Sequence, residues 1–291
     1  MSRAVLDAVA RVTRSGVAGA QHVGGGDINE ALRVHLDDGR ELFVKYRDGA
    51  PAGMYEAEAG GLAWLAEAGA PVPAVVAVGA LEGERFLALE WIEPGRRSRE
   101  GEEGLGRDLA ALHATGAPAF GLDHDNYLGT LEQDNERSSS WPDFYGQRRL
   151  LPLTRRALSR RSISTRVAAG METLVARLPD LVGHEEPPSR LHGDLWSGNA
   201  LAGADGVIRL IDPAVYGGHR EVDLAMMRLF GGFGERTFAA YAEAAPLSEG
   251  HEDRVELYQL YPLLAHAVMF GGMYGARVEN ALSRYVDVPG P

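Results

Sequence analysis

Apolar positions recur at two different spacings along the 291-residue chain, and the change of spacing divides it in two. Up to residue 92 the pattern is mostly that of strands. Residues 18–23, 31–36, 41–46, 72–78 and 85–92 carry short apolar runs or alternations bounded by turn residues. Asp37-Asp38-Gly39 and Glu82-Gly83 predict hairpins, and Gly24-Gly25-Gly26 predicts a turn between the first two strands. A short helix is predicted at the N-terminus. A second is predicted over residues 54–68, where apolar residues and alanines keep helical spacing until Gly69 and Pro71 stop it.

The strand pattern ends at Glu93-Pro94-Gly95 and the polar run Arg96-Arg97-Ser98-Arg99. Beyond it the spacing is helical. Leu105, Leu109 and Leu112 share one face, and residues 144–158, 167–178, 222–230, 237–244 and 255–270 continue in that manner. One β segment, 190–212, interrupts the helices. The expected fold is α+β, with a small antiparallel-sheet lobe over residues 1–93 and a mainly helical lobe over 94–291.

Charge and composition narrow the chemistry. With 29 Lys and Arg against 41 Asp and Glu, the net charge of −12 opposes binding to nucleic acid or to an anionic membrane. The absence of cysteine excludes disulfides, thiolate metal sites and cysteine nucleophiles. No apolar run reaches the ~20 residues of a membrane helix. The first residues interleave Arg3, Asp7 and Arg11 with apolar side chains, unlike a secretory core, so the expected location is the cytoplasm.

The informative run is Leu191-His192-Gly193-Asp194-Leu195-Trp196-Ser197-Gly198-Asn199. An Asp followed five residues later by an Asn has the spacing of a kinase catalytic loop, where the Asp accepts the substrate hydroxyl proton and the Asn holds magnesium. A hairpin turning at Gly203-Ala204-Asp205-Gly206 would return Asp212 beside Asn199. Asn199 and Asp212 are therefore the candidate metal ligands, an amide and a carboxylate as a hard cation requires. Lys45 interrupts the apolar third strand and Glu58 lies in the helix over 54–68, the arrangement by which kinases orient a lysine toward the ATP phosphates. Gly24, Gly25 and Gly26 are a candidate phosphate cradle, although they lack a full glycine-loop pattern. Leu89, Glu90, Trp91 and Ile92 are the candidate hinge against adenine.

These residues closely resemble the fructosamine/ketosamine-3-kinase family. The resemblance is carried by the run from His192 to Asn199, by Ile211-Asp212-Pro213-Ala214, by Tyr216-Gly217-Gly218-His219 and by Leu229-Phe230-Gly231-Gly232-Phe233. Asp125-Asn126-Tyr127-Leu128-Gly129 and Trp141-Pro142-Asp143-Phe144 extend it upstream. It implies a two-lobed protein-kinase-like fold, with ATP and Mg2+ as cofactors. It further implies phosphoryl transfer to O3 of a small or protein-borne ketosamine, after which the sugar is shed. Asp194 would be the base, and Lys45 with Glu58 would orient the phosphates. Two departures stand out. Asp27 occupies a position where some relatives carry cysteine, and Pro213-Ala214 follows the metal Asp where protein kinases have Phe-Gly.

Among the remaining candidates, Trp196, Tyr216 and His219 are expected to reach substrate. His192 and Asp223 are expected to brace the catalytic loop, and His113 to end a helix. Two other readings compete: an aminoglycoside or amino-alcohol phosphotransferase, favoured by the acidic balance, and a nucleotide-binding pseudokinase scaffold. The presence of Lys45, Asp194, Asn199 and Asp212 together argues against the scaffold.

Overall fold

The computed structural model describes residues 3–24, 29–81 and 84–287. Gly25, Gly26, Asp27 and the predicted turn at Glu82-Gly83 lie outside the described residues. The chain opens with helix α1 (Arg3–Thr13), strands β1 (Val17–His22), β2 (Glu30–Leu36) and β3 (Glu41–Arg47), helix α2 (Met54–Glu67), and strands β4 (Val75–Leu81) and β5 (Glu84–Glu90). The strands form one antiparallel sheet in the order β1-β2-β3-β5-β4. Strand β4 starts three residues later than its apolar run because Pro71 and Pro73 have no N–H to give a ladder.

Alternation assigns each sheet face a helix. Leu32, Val34, Leu42, Val44 and Phe86 pack under α1 through Val5 and Val9. On the other face Leu87 and Leu89 pack against Met54, Tyr55 and Leu62 of α2. Each such side chain contributes about 1.5–3 kcal/mol by leaving water.

From β5 the chain runs into α3 (Arg99–Ala114), which is capped by the Ser98 hydroxyl accepting from Gly101 N–H at 3.0 Å. A hairpin of β6 (Asn126–Leu128) and β7 (Leu131–Gln133) follows. Then come α4 (Trp141–Phe144), a π-helical stretch (Tyr145–Leu150), α5 (Leu151–Ser159) and α6 (Thr165–Leu181). The site-bearing segment contains β8 (Ser189–Leu191), a 3-10 turn (Ser197–Asn199), β9 (Ala200–Ala202), β10 (Ile208–Leu210) and β11 (Tyr216–Gly218). Helices α7 (Glu221–Leu229), α8 (Glu235–Ala244), α9 (Val255–Phe270) and α10 (Tyr274–Leu282) complete the chain. Helix α9 is apolar nearly all round, so it runs through the middle of the helical core. Antiparallel pairing of β8 with β11 and of β9 with β10 frames the loop between residues 191 and 200.

Candidate active site

Lys45 lies on the α2 face of β3, opposite Val44, as alternation requires. Its Nζ is 2.5 Å from Glu58 Oε1 and is also ion-paired with Asp212, with side-chain exposures of 5% for Lys45, 11% for Glu58 and 48% for Asp212. Glycine at position 61 of helix α2 eases its packing against the Asp212 loop. A Cβ there would sit 3.3 Å from Val215 Cγ2 and 3.4 Å from Pro213 Cγ. One cation is thus shared by two carboxylates. Burial alone would discharge Lys45, but Asp212 and Glu58 outweigh it and hold the lysine above its usual value. Burial pushes the Glu58 carboxyl up to about 7, while Lys45 holds the more exposed Asp212 below the ordinary carboxylate range. Asp212 also has a left-handed backbone (φ 53°), a conformation that short polar residues tolerate and that concentrates at functional sites.

The loop carrying Asp194 is held from behind. The fully buried Asp223 accepts from the backbone N–H groups of His192 at 2.8 Å and Gly193 at 2.9 Å. His113, in the last turn of α3 as expected, adds a third contact to Asp223 at 3.2 Å and meets the Tyr241 hydroxyl at 2.8 Å, so this helix-end residue is also a buried brace. These donors keep Asp223 ionised despite burial. His192 accepts from Asp194 N–H through Nδ1, so its Nε2 carries the proton donated to Ile211 O at 2.9 Å. Burial keeps that imidazole neutral. Gly193 is required here: its φ is +82°, and a Cβ would fall 2.1 Å from Ala214 O.

At the front of the loop, Asn199 Nδ2 donates to Asp194 O at 2.8 Å and to Asp194 Oδ2 at 3.2 Å. Asp194 Oδ1 and Asn199 Oδ1 are left without a hydrogen bond among the described residues. Burial and the nearby Asp212 raise the Asp194 carboxyl well above its ordinary value. The β9–β10 hairpin closes on Ile211 N–H donating to Asn199 O at 3.0 Å, which returns Asp212 to the Asn199 end.

A cleft of about 570 Å³ gathers Lys45, Glu58, Asp194, Trp196, Asn199 and Asp212 on its walls. Asn199 Oδ1 and the Asp212 carboxylate are an all-oxygen donor pair of the kind a hard divalent cation takes. Among the described residues no three His, Asp or Glu side chains form a metal cage.

The other candidates fall elsewhere. Tyr216 and His219 are corrections: Tyr216 lies in β11, which pairs with β8 behind the loop, His219 follows directly after it, and both side chains are buried in the core. The Tyr216 ring lies 4.0 Å from the Arg149 guanidinium, and His219 stacks on Tyr258 at 5.4 Å. Leu89 is buried against α2, and the amides of Glu90 and Trp91 already donate to Ala74 O and Glu41 O at 2.9 and 3.1 Å. Gly24 is exposed at the end of β1. Neither Gly24 nor Leu89, Glu90, Trp91 and Ile92 line the cleft with Lys45.

Sequence reasoning missed two contributors. Arg97, in the polar run after β5, donates to Ser197 O at 2.8 Å, to Ala200 O at 3.0 Å and to Gly232 O, tying the turn after the base to the Phe-Gly-Gly-Phe element. Tyr127 of β6 donates to Ala52 O at 3.1 Å just ahead of α2, fastening the helix that carries Glu58. The adjacency of Tyr127 to Asn126, within a motif already singled out, was the available signal.

This geometry has relatives. A ketoamine kinase of Enterococcus faecium, named as probable, is 38% identical over 90% of this chain and 93% of its own length. Another from Thermus thermophilus, also named as probable, is 39% identical over 89% and 91%. A Thermobifida fusca structure named as a putative fructosamine-3-kinase superposes with a TM-score of 0.90 at 41% identity, covering 98% of this chain and 99% of that one. An aminoglycoside phosphotransferase in complex with ADP and hygromycin B has the same protein-kinase-like fold, with a TM-score of 0.64 at 15% identity over 97% and 98%. The fructosamine kinase family model matches residues 1–288, from the sheet that carries Lys45 to beyond α10, and the chain therefore belongs to that family of phosphotransferases.

Proposed function

We propose that this protein transfers the γ-phosphoryl group of ATP to O3 of a ketosamine, a fructosamine or ribulosamine, and so serves the repair of glycated amines. The observation that carries the reading is the convergence in one cleft of the Lys45–Glu58–Asp212 cluster with the Asp194–Asn199 pair. The nucleotide lies between a lobe of residues 1–93 and one of residues 94–291. Lys45, held by Glu58, orients the α- and β-phosphates. With Glu90 and Trp91 N–H already committed and Leu89 and Glu90 paired within the sheet, adenine contacts in the 89–92 segment fall to Trp91 O and Ile92 N–H, beyond the end of β5. Asn199 Oδ1 and Asp212 would hold magnesium, which when bound would neutralise charge on the phosphate oxygens. Asp194 Oδ1 receives the proton of the acceptor hydroxyl, while the bond from Asn199 fixes the rotation of the carboxylate.

The aminoglycoside alternative is weakened by charge. The acidic residues on the cleft wall are Glu58, Asp194 and Asp212 among the described residues, and all three have roles in phosphoryl transfer. None remains to pair with a polycationic acceptor. Comparing ADP release with ketosamines and with aminoglycosides separates the two readings, and turnover confined to aminoglycosides would reject ours.

Trp196 supplies the flat face for the sugar. It is 40% exposed, so its ring is not committed to the core. Trp196→Ala is expected to lower kcat/KM for ketosamines at least ~10-fold, about 1.4 kcal/mol, with little change in melting temperature. A melting temperature several degrees lower, with all activities reduced in proportion, would make Trp196 a packing residue instead.

A further inference from the structure

One wall of the cleft has no role in phosphoryl transfer. It is built from Phe230 at the end of α7, His266 and Phe270 on α9, and Tyr274 at the start of α10. Ring centroids lie 4.9 Å apart for Phe230 and His266, 5.0 Å for His266 and Tyr274, and 5.5 Å for His266 and Phe270. The cluster is a continuous aromatic surface. It is also unusually bare, since Phe270 is 53% exposed and Met273, in the turn just before Tyr274, is 71% exposed. Exposed large apolar side chains gathered at the mouth of a cleft mark a ligand surface more often than an accident of packing.

Resting on the ketosamine reading above, we infer that this aromatic shelf binds the substituent carried on the acceptor's amine nitrogen and selects for neutral, apolar substituents, aromatic or alkyl. The sugar itself does not suit the shelf, because each hydroxyl needs hydrogen-bond partners that phenyl rings lack. Asp194 and Trp196 take the sugar end, which leaves the amine end to continue along the wall. Charge fixes the sign of the preference. The Arg277 guanidinium lies 5.7 Å from the Phe230 ring and 5.9 Å from the Tyr274 ring, and no carboxylate pairs with it among the described residues. His266, its proton affinity lowered by burial and by Arg277, adds no negative charge. A substituent ending in an ammonium group therefore finds no acid on the shelf, and the charged group in contact with two of its rings is itself a cation.

The test compares three 1-deoxy-1-aminofructose acceptors whose nitrogen carries methyl, benzyl or 6-aminohexyl. In the wild-type protein kcat/KM for the benzyl acceptor is expected to exceed that for methyl by about tenfold, and 6-aminohexyl to stay within about threefold of methyl. Phe270→Ala should reduce the benzyl-to-methyl ratio to about threefold or less, and Phe270→Leu, which restores an apolar surface, should recover most of it. Residue 270 is half exposed, so both variants should fold, and their melting temperatures will show it. Equal kcat/KM for benzyl and methyl in the wild type, a ratio unchanged in Phe270→Ala, or a gain for 6-aminohexyl equal to that for benzyl would overturn the inference while leaving the ketosamine activity standing. Failure to turn over any of the three acceptors would instead overturn the activity, and this inference with it.

Discussion

Asp194→Asn is expected to lower kcat by roughly 10²-fold or more, with nucleotide affinity nearly unchanged. The substitution keeps the shape of the side chain, and the Asn199 amide still finds the backbone oxygen of residue 194, bonded at 2.8 Å in the native chain. What is lost is an anionic oxygen able to receive a proton. Desolvation and the neighbouring Asp212 already raise the proton affinity of this carboxyl, which suits a general base better than an ordinary exposed aspartate. Single-turnover rates and nucleotide titrations on the variant separate chemistry from binding. A kcat within a few-fold of the native value would remove Asp194 from the role of base.

Lys45→Ala should reduce turnover on the order of 10²-fold, the usual cost of deleting one preorganised charge at a transferring phosphoryl group. Glu58→Ala should cost less, because Asp212 still pairs with the lysine and some productive conformations survive. The two effects should not add, since both break the 2.5 Å contact between Lys45 and Glu58. A double-mutant cycle in kcat/KM measures this, and full additivity would mean that the contact does not serve turnover. Neither loss should come mainly from unfolding. The Glu58 carboxyl, already pushed up to about 7 by burial, can protonate when its cation is removed and need not remain a buried charge.

Both predictions depend on residues that local sequence signals exposed. Lys45 interrupts an apolar strand whose register is set by the tight turn after Leu36, where Gly39 N–H donates to Leu36 O at 3.0 Å. Strand alternation therefore decides its face before any tertiary contact is known. Asn199 and Asp212 converge because a short hairpin with a glycine turn has few ways to close. Tyr216 in β11 and His219 just after it were misplaced because a three-residue strand gives no period from which to tell cleft from core. That decision is made by pairing with β8, about 25 residues earlier in the chain. Strands β6 and β7 were illegible for the same reason. They bury Asn126 and Gln133, whose amides are satisfied by Val215 O at 2.7 Å and by each other at 3.0 Å, partners no local pattern announces. Residues 145–150 have helical spacing, so the sequence suggests an uninterrupted helix and hides the π-helical stretch that Arg149 occupies, buried against Phe144 and Tyr216. Arg97 read as one basic residue in a polar turn. Only the folded chain brings it to the carbonyls of Ser197 and Ala200.

The central claim is phosphoryl transfer from ATP to a ketosamine at the Asp194–Asn199–Asp212 centre. Its most direct test is to incubate the protein with ATP, magnesium and a 1-deoxy-1-aminofructose, follow the acceptor by phosphorus NMR, and repeat with all divalent cation chelated. The account predicts a sugar O3 phosphomonoester formed in step with ADP, abolished by chelation and greatly slowed in Asp194→Asn. Product formation that survives complete chelation, or ADP release at the same rate with and without the ketosamine and no phosphorylated sugar, would contradict it.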